Sequence, residues 1–89
     1  MLYVAVRGRV QGVGYRWYVR ERARALGLAG WVRNRQDGSV EVLAIGDDSA
    51  LEQLRVLLRS GPSGARVSDM EEQIAEPTVA ALDPFGILK

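Results

Sequence analysis

The chain opens on an alternation of period two. Leu2, Val4, Val6, Gly8 and Val10 fall on one side, and Tyr3, Ala5, Arg7 and Arg9 on the other, which predicts a strand over residues 2–10. Gln11-Gly12-Val13-Gly14 breaks it with a two-glycine loop. From Tyr15 the period lengthens: Tyr15, Val19, Ala23 and Leu26 recur at helical spacing, with Arg16, Arg20 and Arg24 on a neighbouring stripe. A helix is expected there, closed by Gly27 as its C-cap. A second strand fits Ala29–Arg35, and Gln36-Asp37-Gly38 ends it. The Asp-Gly pair predicts a tight hairpin whose two central residues take positive φ. A third strand follows over Ser39–Ile45.

Asp47-Asp48-Ser49 then opens a second helix, with Ser49 and Glu52 spaced as a capping box. Leu51, Leu54, Leu57 and Leu58 give it an apolar face, and Gly61-Pro62 stops it. Ala65–Ile74 reads as a fourth strand whose phase slips between Val67 and Met70, so a bulge is expected. Gly86–Leu88 can add a short edge strand after Pro84. The order βαββαβ, with a right-handed crossover between strands one and two, predicts a ferredoxin-like α/β (α+β) sandwich. It has one mostly antiparallel sheet with both helices on one face. The length, 89 residues, allows one domain, 1–89, which buries roughly 60–65% of its unfolded surface.

Composition changes this picture mainly by subtraction. The chain has no cysteine and no histidine. That removes disulfides, thiolate nucleophiles, the commonest metal ligand and the commonest general base. Catalysis would have to use arginine, carboxylates, amides, hydroxyls and the main chain. No stretch reaches the ~18 apolar residues of a membrane span, and the N-terminus lacks the form of a secretory signal. No metal, cofactor or membrane is therefore expected, and the compartment expected is the cytoplasm.

The net charge of +1 conceals an asymmetry. Residues 1–35 carry eight arginines against Glu21 alone, whereas residues 36–89 carry ten acids against Arg55, Arg59, Arg66 and Lys89. Such a basic half suits an anionic ligand.

The candidate chemistry lies where strand one passes through the glycine loop into helix one. Glycines let a loop present successive N–H groups, and a first helical turn leaves further donors unpaired. Gln11, Gly12, Val13, Gly14, Tyr15 and Arg16 can thus form a concave anion site, with the Arg16 guanidinium adding a planar fork for phosphate oxygens. The spacing is neither that of a Walker loop nor that of a dinucleotide fingerprint. Asn34 shares the face of Val32 and ends strand two, at the same sheet edge as the glycine loop. It can converge with Arg16 over one pocket.

Gly8-x-Val10-Gln11-Gly12-Val13-Gly14-Tyr15-Arg16, followed by Gly30-Trp31-Val32-Arg33-Asn34-x-x-Asp37-Gly38-x-Val40-Glu41, resembles the paired signature of the acylphosphatase family. The resemblance continues through Gly61-Pro62 and Gly64-Ala65-Arg66-Val67. It is less typical after Met70 and in the tail Phe85-Gly86-Ile87-Leu88-Lys89. It implies the same sandwich fold and a metal-free hydrolase that cleaves the carboxyl–phosphate bond of small acyl phosphates. It further implies that Arg16 and the loop backbone bind the phosphate and that Asn34 positions the attacking water. A monomer is expected.

Acylphosphatase-like domains also occur inside larger carbamoyl-phosphate-handling proteins, an alternative that the start at Met1 makes less favoured. The rival class is a nucleic-acid-binding sheet, since Tyr3, Arg7, Arg9, Trp31, Arg33 and Arg35 share the open face. Strand three offers that face no aromatic, and the RNA-binding sheet signature is absent, so no nucleic-acid partner is expected. Trp31 is read as a packing residue, and Arg33 or Arg35 as a partner of Glu41.

Overall fold

Alternation in three segments and helical spacing in two give the elements expected of them. A computed structural model, describing residues 1–89, contains β1 (Leu2–Arg9), α1 (Tyr15–Ala25), β2 (Ala29–Asn34), β3 (Val40–Ile45), α2 (Asp48–Ser60), β4 (Arg66–Glu72) and β5 (Gly86–Ile87). The five strands form one sheet in the order β4-β1-β3-β2-β5. β1 pairs antiparallel with β3 and β4, and β2 antiparallel with β3. β1 and β2 therefore run in the same direction, as the crossover through α1 requires. β5 adds a short parallel edge beside β2. This is the ferredoxin-like α+β sandwich.

One face of the sheet makes the core. Val4, Val6, Val10, Val32, Val40 and Val42 pack with Tyr15, Val19 and Ala23 of α1 and with Leu51, Leu54 and Leu58 of α2. Both helices thus cover one face. α1 ends in a complete Schellman motif: Leu28 N–H donates to Ala23 C=O and Gly27 N–H to Arg24 C=O, each at 3.0 Å. Gly27 takes φ 71°, as that motif demands. The phase slip in β4 is a bulge at Ser68, because Arg7 pairs with Asp69 and Gly8 with Val67. At Gly30 (φ 140°) β2 and β3 approach so closely that a Cβ would lie 1.9 Å from Leu43 O.

Three local expectations are corrected. The β2–β3 hairpin is not a two-residue turn with paired positive φ values, since no residue other than glycine has positive φ. Gly38 N–H bonds Arg35 C=O at 3.2 Å and Arg35 N–H bonds Ser39 C=O at 2.9 Å. The loop is thus Gln36-Asp37-Gly38, with only Gly38 (φ 92°) left-handed. The Asp37 carboxylate accepts from Ser39 N–H and Oγ–H, at 2.9 and 2.6 Å, which fixes Asp37 without a left-handed backbone.

α2 has Asp47 at its N-cap, so Ser49 already lies inside the first turn and forms no capping box; Glu52 instead pairs with Arg55 at 3.1 Å. β4 stops at Glu72 rather than Ile74. Beyond it the chain crosses the face opposite the helices. The Trp31 indole N–H donates to Val79 C=O at 3.0 Å, Gly30 bridges Leu82, and Trp31 is fully buried. Phe85 then turns into the core, itself fully buried, and Arg24 Nε holds its carbonyl at 2.7 Å.

Candidate active site

The end of β1, the glycine loop and the start of α1 enclose a cleft of about 300 Å³. Its lining comprises Val10, Gly12, Gly14, Tyr15, Arg16, Trp17 and Ile87. Gly12 and Gly14 adopt φ 75° and 77°, a conformation only glycine takes at low cost, and this carries the loop directly into the helix. Gly14 is the N-cap of α1 and brings no side-chain cap. The first N–H from this region to donate along the helix is that of Tyr18, to Gly14 C=O at 3.0 Å. None of the loop or cap hydrogen bonds uses an N–H from Gln11 to Trp17 as donor. The first turn holds no acidic residue, so the positive end of the helix is not neutralised locally.

Arg16 sits half-exposed on that turn and enters no ion pair. Its guanidinium is free to face an anion. Tyr15 contributes only its main chain: the ring is buried, and its hydroxyl donates to Leu58 C=O at 2.8 Å. That burial, with Tyr18 beside it, pushes the phenol far above its ordinary range, so it stays neutral. Val13 packs partly against the core. Gln11 turns its carboxamide away from the cleft and donates to Arg35 C=O at 2.8 Å and Ser39 C=O at 2.9 Å.

Asn34 is the last residue of β2, exposed, and its carboxamide is engaged in no hydrogen bond within the protein. It does not line the cleft, whose wall reaches β2 through Ile87, the partner of Val32. The structure thus gathers Gly12, Gly14, Tyr15 and Arg16 around one opening and leaves Asn34 at the end of β2, with β3 between it and β1.

Sequence reasoning missed the apolar part of this wall. Trp17 is 59% exposed, off the stripe that packs α1 into the core, and Arg20 lies over its ring at 5.7 Å. An exposed tryptophan next to the glycine loop was the available signal. Ile87 could not be found, because a two-residue strand carries no period.

Behind the hairpin lies a charged cluster. Glu41 is buried on the opposite face, and its carboxylate accepts from Arg33 Nε at 2.7 Å, Arg35 Nε at 3.3 Å and the Tyr3 hydroxyl. Burial alone would push the Glu41 carboxyl up, but these three donors together outweigh it and hold the group below its ordinary value. Arg35 also donates to Gln73 at 3.1 Å. Arg33 and Arg35 of the proposed RNA-stacking face are thereby consumed in ion pairs and Arg7 pairs with Glu71, whereas Arg9 enters none; the tryptophan of that face lies beneath the tail. No three His, Cys, Asp or Glu residues converge to hold a metal ion, and no helix is long and apolar enough to cross a membrane.

A sequence model of the acylphosphatase family matches residues 2–87. The chain is 49% identical over 85 residues to an acylphosphatase of Methanothrix thermoacetophila, covering 96% of this chain and 92% of that one. It is 59% identical over 70 residues to an acylphosphatase of Cupriavidus metallidurans, covering 79% and 74% respectively. Among solved structures, the acylphosphatase from Bacillus subtilis superposes over the full length of both chains with a TM-score of 0.83 at 38% identity.

Proposed function

The chain belongs to the acylphosphatase family, hydrolases that act on acyl phosphates, and from that premise we propose how its own residues perform the reaction. The main-chain N–H groups from Gln11 to Arg16, with the Arg16 guanidinium, hold the phosphate. The observation that carries this reading is the cleft itself: free donors and one unpaired guanidinium share a single opening with no carboxylate in its lining. The acyl group lies along the apolar wall of Val10, Trp17 and Ile87. Asn34 accepts a hydrogen bond from a water molecule and holds it in line with the bond to be broken.

Phosphoryl transfer asks chiefly for positioning and charge stabilisation. Water oxygen forms the new bond to phosphorus as the bond from phosphorus to the carboxyl oxygen breaks. The carboxylate departs with the electron pair and needs no proton, and both water protons finish on the phosphate. No general acid is required, which suits a chain without histidine. Phosphate monoesters, whose alkoxides leave poorly, are not expected substrates. The enzyme acts as a single domain, a monomer in the cytoplasm, with no metal, cofactor or nucleic acid.

The test is phosphate release from benzoyl phosphate with chelator present. Removing one electrostatic donor of this kind costs on the order of 10²–10³ in rate, so Arg16→Ala is expected to lose at least that factor. Asn34→Ala is expected to lose a similar factor in kcat while retaining affinity for inorganic phosphate. Loss of phosphate affinity in Asn34→Ala, with turnover kept, rules out its water-holding role.

A further inference from the structure

The two side chains proposed to act on substrate stand on different elements, Arg16 on the first turn of α1 and Asn34 at the end of β2, which pack against each other in the core. Arg16 follows β1 and Asn34 ends β2, and β3 lies between those strands. The rigid part of the sheet fixes the two strand ends only up to Arg9 and Asn34; beyond them the chain runs into the glycine loop and the three-residue hairpin loop. Loops of this kind open locally at far lower free energy than the strands they join. The packing of α1 on β2 sets Arg16 over the sheet, but a water on Asn34 stays aligned with a phosphate on Arg16 only if the glycine loop and the hairpin loop are also held to each other.

We infer that Gln11 is that positioning residue: its carboxamide sets the placement of Asn34 relative to the anion loop. Nε2 donates to the carbonyl of Arg35, the residue directly after Asn34, and to the carbonyl of Ser39, directly before the Val40 that pairs with Asn34. These are the side-chain hydrogen bonds that join residues 11–16 to the hairpin, and one nitrogen makes both. Ser39 C=O also closes the hairpin by accepting from Arg35 N–H. Gln11 thus grips the closing pair of the turn itself. From the other face Arg35 is drawn by Glu41 and Gln73, so its main chain is held from above and its side chain from below. Asn34, between those restraints, keeps its carboxamide unengaged and exposed.

The inference rests on the reading of Asn34 as the residue that orients water. Gln11 need not touch the substrate to matter, because a displacement of about 1 Å in a reacting geometry can cost up to ~10² in rate. Its side chain is expected to govern kcat rather than phosphate binding, since the loop N–H groups and Arg16 remain in place without it.

The experiment compares Gln11→Met, which keeps length but cannot donate, and Gln11→Ala with Asn34→Ala and the double variant Gln11→Met/Asn34→Ala. Each is assayed for kcat and KM on benzoyl phosphate, competitive inhibition by inorganic phosphate, and thermal unfolding. Both Gln11 variants should lose on the order of tenfold or more in kcat, with phosphate inhibition changed less than about threefold. In the Asn34→Ala background the Gln11→Met change should cost almost nothing further in kcat, the signature of two residues acting as one unit. Multiplicative losses in the double variant, or a Gln11→Met loss that falls on phosphate inhibition, would overturn the inference and leave Asn34's role standing. A full kcat in Asn34→Ala alone overturns both. Gln11→Met that unfolds at the wild-type temperature yet turns over normally also overturns it.

Discussion

At the scale of single residues, the chain separates charges that serve the cleft from charges that serve the fold. Arg16 is unpaired, whereas Arg33 and Arg35 are committed to Glu41. That commitment has a pH consequence. The folded-state pKa of Glu41 lies below its ordinary value of 4.5, so the carboxylate stabilises the fold at and above that value. The contribution disappears as pH falls from 4.5 through the lowered folded value. Glu41→Gln is therefore expected to be less stable than the wild type at neutral pH but to lose less stability on acidification, which denaturant unfolding across that window would measure. Equal acid sensitivity in the two proteins would show that other carboxylates govern it.

Arg16 and the glycines were legible in the sequence because a strand, a glycine loop and a helix start in that order leave few places for an anion. The ion pairing of Glu41 was legible because alternation puts all three charges on one face. The Gln11 carboxamide was not, because a residue inside a loop has no period to indicate where its side chain points. Sequence made it part of the anion site, and geometry sends its amide to the hairpin.

At the scale of elements, the periodic segments and the glycine ends of both helices were read correctly, whereas the β2–β3 turn, the start of α2 and the end of β4 were not. β1, α1, β2, β3 and α2 follow hydrophobic spacing, which side-chain burial enforces. The cap of α2 was misplaced because two adjacent acids and a serine offer competing start positions, and only the main-chain conformation of Asp47 decides. The segment from Gln73 to Pro84 carries no period, so its course across the sheet could not be foreseen. Its one sequence trace was a tryptophan between arginines on the face away from the helices. The core anchor of this segment is Phe85, fully buried. Truncating a buried phenylalanine costs about 3–5 kcal/mol, so Phe85→Ala should destabilise by that amount in denaturant unfolding. A loss under ~1 kcal/mol would mean that the tail contributes little to the fold.

At the scale of the whole molecule, the basic first half and acidic second half do not face each other as two lobes. The sheet order places β4, from the acidic half, beside β1 from the basic half, and Arg7 meets Glu71 across that pairing at 2.8 Å. Part of the charge segregation is cancelled within the fold, and what survives at the two ends of the glycine loop are Arg9 and Arg16, neither of them in an ion pair. The two tryptophans divide the molecule similarly. Trp17 stands 59% exposed at the cleft and Trp31 is wholly covered by the tail. Light emission can therefore report on two places independently. In Trp31→Phe, the remaining indole should change its emission when inorganic phosphate is added; in Trp17→Phe, the remaining indole should ignore phosphate and shift to the red only as the tail lifts from the sheet. A single pair of conservative replacements thus turns the chain into its own optical gauge, one channel for occupancy of the cleft and one for the closure of its far side.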